Sequence, residues 1–295
     1  MQMTFYPPIG VTSINLSDGS VVSVVNGRIT VDSSYAPELE RAGCVGVSSA
    51  SPFPYGKSTL FLPCAVATTN TLAPQDVTGN GMHTTLGAGL TAAACWATAG
   101  FATLGGAANQ YFQEPLANFP LDLGKDCFCI AMQINIAAPP SSGTPMFIGT
   151  CDQTSGARGW YLGVNTSGIP RLYVKDQSSP TSLLGGGQIA DGSWHTLVAA
   201  FDGPNKSFFA WVDGILQVGI ASGAWAGDPS NTTASGGTNG LTFGAQTSGA
   251  TSGIASKLKN IAAWRGGPSL PANLNALATA YNTAPGPLRA FDMVI

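Results

Sequence analysis

Carboxylates do most acid–base work on sugars, and this chain is poor in them. Only 15 of its 295 residues are acidic, and the glutamates are Glu38, Glu40 and Glu114. Cleaving a glycosidic bond takes two carboxyl groups at a fixed separation. Glu38 and Glu40 fall in a predicted N-terminal helix and Glu114 in a predicted loop beside Pro115, so no such pair is expected. Asp191, Asp202 and Asp213 occupy turn positions, where Asp bonds its own backbone. His195 lies in a predicted strand with no serine or cysteine motif that would make it a general base. No P-loop, G-x-S-x-G or dinucleotide fingerprint occurs. The cysteines, Cys44, Cys64, Cys95, Cys127, Cys129 and Cys151, include no C-x2-C pair, and His83 and His195 stand apart, so no zinc site is expected. Cys127 and Cys129 sit two apart on a predicted strand, a poor geometry for bridging each other, and free buried thiols in a reducing cytoplasm are expected. These residues predict no catalytic, cofactor-binding or metal-ligating set, and therefore a protein that is not an enzyme. Glycan binding makes smaller demands, an aromatic platform with polar groups beside it. Asp152, Arg158, Trp160 and Trp225 are the candidates for it, with Tyr161 near by. The competing reading puts Trp160 and Tyr161 in a core and Trp225 in loop packing.

Bulk composition sets the frame for these residues. Charged residues make up 9% of the chain, against about 25% in an ordinary domain. Hydrophobic residues are 44%, too many for disorder, and Gly (38) with Pro (20) points to many strands joined by tight turns. A net charge of −3 offers no basic stripe for nucleic acid. The opening Met1-Gln2-Met3-Thr4-Phe5 has neither the basic nor the apolar region of a secretory signal, so synthesis in a cytoplasm without secretion is expected. Residues 87–108 are uncharged and long enough to span a bilayer. They are mostly Gly, Ala and Thr and read as strands and loops, so no membrane partner is expected.

Between Ser58 and Leu121 the only charged side chains are Asp76 and Glu114. Phe61, Leu62, Leu72, Leu86, Leu90, Trp96, Phe101, Leu104, Tyr111 and Phe112 share that stretch. A remainder left outside the core would form a patch for neighbouring subunits, so contacts with other chains and a homo-oligomer are expected.

The elements follow from turn chemistry. Asp191-Gly192 and Asp213-Gly214 bracket two runs, Trp194 to Asp202 and Ser207 to Val212, rich in aromatic and β-branched residues. Bulky residues on both faces predict two antiparallel strands that are buried on both sides or covered by another element. Further strands are predicted over 128–136, 146–150, 159–164, 171–174 and 254–264. A short helix from Pro271 would carry Leu274, Leu277, Ala278 and Tyr281 on one face. Near the N-terminus, Asp18-Gly19 and Asn26-Gly27 separate three short strands, and a helix capped by Ser34, with Leu39 inward, ends at Gly43. The organisation expected is a small N-terminal anchoring module (1–47), a linker (48–69), a large domain (70–282) and a tail (283–295).

The D-G-x-W-H strand at Asp191–His195, followed by an aromatic strand ending Val212-Asp213-Gly214, resembles laminin-G-like, concanavalin-A-like jelly-roll domains. Asp76-Val77-Thr78-Gly79-Asn80-Gly81 resembles the opening turn of that family. The resemblance implies a mainly β chain, an antiparallel β-sandwich with a small N-terminal hairpin and helix module. It leaves activity open, because that fold hosts lectins, adhesion modules and hydrolases. The E-x-D-x-x-E motif of the glucanases with this fold is absent, and no acidic loop cluster marks an inherited calcium site. The N-terminal D-G-S-V-V-S-V-V-N-G-R-I-T-V module resembles segments of tailed-bacteriophage virion proteins. That second resemblance implies a virion structural protein, a capsid decoration or a head or tail fibre component. Its partners would be other virion proteins such as the major capsid or tail proteins. The rival expectation is an adhesin or receptor-binding protein that uses the same sandwich on a host surface glycan.

Overall fold

The computed structural model describes residues 2–6, 12–24, 29–35, 38–39, 45–47, 57–64, 70–76, 83–107, 109–114, 127–150, 158–176, 181–183, 187–217, 241–244, 253–265 and 274–283. The N-terminal part holds β1 (Gln2–Tyr6), β2 (Ser13–Asn15), β3 (Val21–Ser23), β4 (Ile29–Asp32) and β5 (Val45–Val47). β1 lies between β4 and β5, and β2 and β3 form a hairpin across Asp18-Gly19. Leu16, Ile29, Val31 and Leu39 close a small separate core. Leu39 is inward as expected, but Ser34 is not the cap. It lies in a 3-10 turn over Ser33–Tyr35, and its N–H donates to the Asp32 carboxylate at 3.0 Å. The Asn26-Gly27 turn and Gly43 lie outside the described residues.

The rest is a sandwich of two antiparallel sheets. Its strands are β6 (Lys57–Leu62), β7 (Thr85–Leu86), β8 (Ala102–Leu104), β9 (Tyr111–Glu114) and β10 (Cys127–Asn135), then β11 (Met146–Gly149), β12 (Arg158–Val164), β13 (Pro170–Asp176), β14 (Thr181–Leu183) and β15 (Trp194–Asp202), and finally β16 (Ser207–Val212), β17 (Ile215–Leu216), β18 (Leu241–Gly244) and β19 (Ser256–Arg265). The front sheet runs β14-β13-β12-β11-β18-β9-β7, and the back sheet runs β17-β16-β15-β10-β19-β6 with β8 also on β19. The strands predicted from the sequence fall within one to three residues of β10 to β13, β15, β16 and β19. Several short elements escape that reading, among them β6 and a helical turn. β6 lies inside the stretch expected as a linker, and its Leu60 and Leu62 are core residues. A single helical turn, α1 (Ala92–Cys95), interrupts the strands and loops expected for 87–108, and the Thr91 hydroxyl caps it by accepting from Ala94 N–H at 3.2 Å.

Period-two alternation fills the space between the sheets. Phe128, Trp160 and Phe201 meet there with ring centroids 4.2 to 5.3 Å apart, and Phe112 stacks on Phe243. Each such side chain contributes roughly 1.5–3 kcal/mol by leaving water. The apolar residues of 58–121 are spent here too. Leu62, Leu90, Trp96, Leu104 and Phe112 are core, and Leu72, at 57% exposure, is the one large side chain of that stretch left open among the described residues. The exposed positions described there are mostly Gly, Ala and Thr, and no cluster of large exposed apolar side chains is found in that stretch among the described residues.

The doubled apolar faces of β15 and β16 are explained by a second layer. α2 (Leu274–Thr283) packs Ala278 and Tyr281 onto the outer side of the back sheet, against Phe61, Ala131, Val198, Ala200, Trp211 and Ala262. Trp211 is 2% exposed and its indole N–H donates to Asn275 Oδ1 at 2.8 Å. The Tyr281 hydroxyl donates to the Asn260 carbonyl, and Asn282 Nδ2 donates to the Asp213 carbonyl at 3.1 Å. No helix among the described residues is long and apolar enough to cross a membrane.

Candidate functional site

α2 covers only part of the outer face, and strand register shows where the cover ends. Val198, Ala131, Ala262 and Phe61 form one cross-strand row beneath the helix. The next row is Thr196, Gln133 and Lys259, and the one after it is Trp194, Asn135, Lys257 and Thr103; Thr196 and Asn135 are buried, and Gln133, Lys259, Trp194 and Lys257 reach the surface. Between the covered and open rows, β19 carries an extra residue opposite β10. Asn260 sits in that bulge with φ +50°, a left-handed conformation Asn tolerates better than most residues. The bulge keeps Lys257 and Lys259 on the outer face while Leu258 and Ile261 point into the core.

Trp194 and Phe101 meet edge to face across the open rows, centroids 5.6 Å apart, and both are half-buried. The Lys259 ammonium lies 4.2 Å from the Trp194 ring centroid and that of Lys257 lies 5.3 Å from Phe101. Gln133 Oε1 accepts from Asn260 Nδ2 at 2.8 Å, which leaves the Gln133 amide N–H groups available. The buried Thr103 hydroxyl, beside Lys257, has no protein hydrogen bond. At the same end of the sandwich a groove of about 620 Å³ opens between the 138–145 loop, Gly105–Gly106 and residues 253–255. Gly106 has φ +79°, and a Cβ there would lie 2.5 Å from the Ala255 nitrogen, so the groove wall depends on this glycine. The groove is lined by small residues, Pro and main chain, with no charged side chain among its lining residues.

The other candidates are structural where they are described. Trp160 is fully buried between Phe128 and Phe201, so it cannot serve as a glycan platform. Tyr161 is 5% exposed and stacks on Tyr173. Arg158 is half-buried at the start of β12, opposite Asp176. Asp152 and Trp225 lie outside the described residues, as do Cys44 and Cys151. Asp202 accepts from the Asn205 backbone and side chain at 3.0 and 2.8 Å, a turn lock. His195 Nδ1 lies 2.8 Å from Asp213 Oδ2 and Nε2 lies 3.0 Å from Asp191 Oδ1, with the imidazole 12% exposed. Two carboxylates facing both ring nitrogens require both to donate, which only the imidazolium can do. Desolvation works against that charge, but the bonds to Asp213 and Asp191 outweigh it, and the His195 pKa is raised above 6.5. The Asp191 pKa is lowered, first by the Ser193 N–H and then by His195. Asp213 Oδ1 also accepts from Thr196 N–H at 2.9 Å, and Asp213 and Gly214 both have positive φ, as a two-residue hairpin turn requires. The ring fills the space between the two aspartates where a glycosidase would need water or a sugar.

Cys64, Cys95, Cys127 and Cys129 are buried thiols outside any disulfide, and burial pushes the Cys95 thiol up to about 12. Among the described residues no three His, Cys, Asp or Glu side chains gather as a metal site. The sequence does hold a signal for the open rows. Lys257-Leu258-Lys259 is a period-two charged pair in a chain with only 12 lysines and arginines.

With this geometry in place, the chain can be set beside known proteins. Residues 105–266 match Laminin_G_3, described as the Concanavalin A-like lectin/glucanases superfamily. Among curated proteins none matches the chain. Among solved structures it is similar to the binding domain of Paraclostridial Mosquitocidal Protein 1, with 11% identity, a TM-score of 0.55, and 76% of this chain and 51% of that one covered. It is also similar to Trypanosoma rangeli sialidase in complex with the inhibitor DANA, with 13% identity, a TM-score of 0.54, and 93% and 42% covered. The chain thus spans about half the length of the first of these, and at such identities the likeness is one of fold.

Proposed function

The chain belongs to the concanavalin A-like lectin/glucanase superfamily, and we propose that it is a non-catalytic, glycan-recognising protein of a tailed-phage virion. The observation that carries glycan recognition is the open part of the back sheet. Two half-buried aromatic rings, an amide and two ammonium groups lie together on a flat face whose remainder α2 seals. Aromatic rings give sugar C–H groups an apolar surface, and amides and ammoniums bond hydroxyls. The same fold serves as a binding domain in the paraclostridial toxin. The virion context is supported by the resemblance of the N-terminal module, which has a core of its own as an anchoring segment needs.

A glycan array probed with the purified chain tests the reading. Binding to at least one glycan class, unaccompanied by cleavage and weakened by Trp194→Ala and Phe101→Ala, is the expected result. Cleavage of a bound glycan, or binding untouched by both variants, would overturn it. Mass spectrometry of purified particles tests the virion context, and absence of the chain from them would remove it.

A second reading, decoration of the particle through protein contacts alone, is favoured by one observation. Ile215 and Leu216 on the edge strand β17 are 69% and 39% exposed. A β17 edge that stays solvent-facing in the assembled particle would exclude that role for it.

A further inference from the structure

Resting on the glycan-binding reading, we propose that the ligand of the open rows is an acidic sugar, with its carboxylate held by Lys257 and Lys259. The starting point is that this charge is concentrated and uncompensated. Lys257 and Lys259 lie on one face of one strand, so their backbone positions are about 7 Å apart. Like charges that close repel, and the usual remedy in a sheet is an acidic residue on the neighbouring strand. Here every cross-strand neighbour is neutral: Asn135 and Thr103 beside Lys257, Gln133 beside Lys259. Among the described residues neither ammonium meets a carboxylate within ion-pair distance.

Each ammonium instead rests on a ring, which orients a cation without neutralising it. Holding the two lysines this way reduces the ordering that a bound anion would otherwise have to impose. The remaining groups match the rest of a sugar acid. The free N–H groups of Gln133 can donate to a carboxylate or ring oxygen, and Asn260 Oδ1 can accept from a hydroxyl. The exposed parts of Trp194 and Phe101 supply the apolar contact that an inorganic anion would not use. Two cations on a chain of net charge −3 are too few to follow a nucleic-acid backbone.

The test is a calorimetric titration of the full chain with two matched pairs. One pair is sialyllactose and lactose, and the other is trigalacturonate and its carboxyl-reduced, neutral form. At least one acidic member should bind about tenfold more tightly than its neutral partner, equivalent to about 1.4 kcal/mol. That preference should shrink as salt rises from about 50 to about 500 mM. In the Lys257→Gln/Lys259→Gln variant the difference should fall to about twofold or less, while Lys257→Arg/Lys259→Arg keeps it, because Arg retains the charge. Circular dichroism melts of both variants establish that they fold. Equal binding of acidic and neutral members, or a preference that survives Lys→Gln, would overturn the inference and leave the glycan reading standing. No binding of these sugars, together with a blank glycan array, would remove both.

Discussion

The outer face of the back sheet is two surfaces on the same strands. Under α2, the row Val198–Ala131–Ala262 is made of small or branched apolar residues that let a helix approach closely. One row further along, Gln133 and Lys259 take the equivalent positions, outside the apolar cluster that the helix closes. Asn260, the bulge residue between them, belongs to both. Its carbonyl accepts the Tyr281 hydroxyl from the covered side and its amide bonds Gln133 on the open side. Side-chain size and charge, together with the bulge that keeps Lys257 and Lys259 on the outer face, therefore decide which part of a continuous sheet is core and which is available to a ligand.

The harshest way to break this division is to move the charge across the boundary. Ala262→Lys puts an ammonium beneath α2, where Ala262 is fully buried and its neighbours Phe61, Ala131 and Ala278 offer no counter-charge. An unpaired buried charge together with overpacking should cost about 3–5 kcal/mol. Urea denaturation should show that loss, or no folded protein at all. Lys259→Ala, one row away, should change stability by no more than about 1 kcal/mol. Similar losses from the two substitutions would mean that the open rows are covered in solution.

A subtler probe loosens the seam itself. Tyr281→Phe keeps the ring and removes only the hydroxyl that bonds Asn260, which leaves a buried carbonyl short of one donor. The expected loss is on the order of 1–2 kcal/mol. Hydrogen exchange should quicken in α2 first and leave the interior strands of the sandwich protected. Uniform acceleration throughout the domain would show that α2 is not a separable layer.

Much of the covered region can be read from the sequence, and little of the open one. The turn pairs at Asp191-Gly192 and Asp213-Gly214 fix β15 and β16, and the helical spacing of Leu274, Ala278 and Tyr281 announces a packing helix. Doubled apolar faces on two strands say that something covers them, but not where the cover stops. That depends on the bulge at Asn260, which shifts the register of β19 against β10 and which no local pattern reveals. The same dependence on sheet face leaves Trp160 open between glycan platform and core in the sequence, since a tryptophan on a strand looks alike whether it points to the core or to solvent. β6 is hidden because Pro52, Pro54 and Ser58 dominate the composition around it, although Leu60 and Leu62 alternate correctly with Phe61. The charge-poor stretch 58–121 is ambiguous for a related reason, because an interior and an interface are equally poor in charge.

His195 connects the two regions and makes their coupling depend on pH. It follows Trp194 on β15 and holds the Asp213 turn, whose carbonyl accepts from Asn282 of α2. Because its pKa is raised above 6.5, its contribution is fully present below that value and is lost as pH rises through the raised value. Asp191 behaves oppositely. With a pKa below 3.8, it contributes above that value and loses its contribution as pH falls through the lowered one. Melting temperature should therefore decline as pH rises above 6.5 in the parent, and His195→Gln should flatten that decline. A decline of the same size in the variant would assign it to other groups.

The smallest expected effect concerns the two lysines in the absence of any ligand. A cation resting on a partly exposed ring contributes about 0.5–1 kcal/mol, so the ring contact alone predicts a loss of that size on removing Lys259. Lys259 also repels Lys257 on the same strand face, and among the described residues no carboxylate pairs with either to relieve it. The two contributions oppose each other, so Lys259→Gln should leave stability within about 0.5 kcal/mol of the parent. Salt separates them. Screening weakens the repulsion between exposed ammoniums more than it weakens a contact made directly on a ring. Raising salt should therefore stabilise the parent more than Lys259→Gln, while the change in Trp194 fluorescence on substitution reports the lost ring contact at every salt concentration. An equal response to salt in both proteins would mean that the two charges do not feel each other, and the open rows would then lose the electrostatic tension that distinguishes them from the sealed rows beside them.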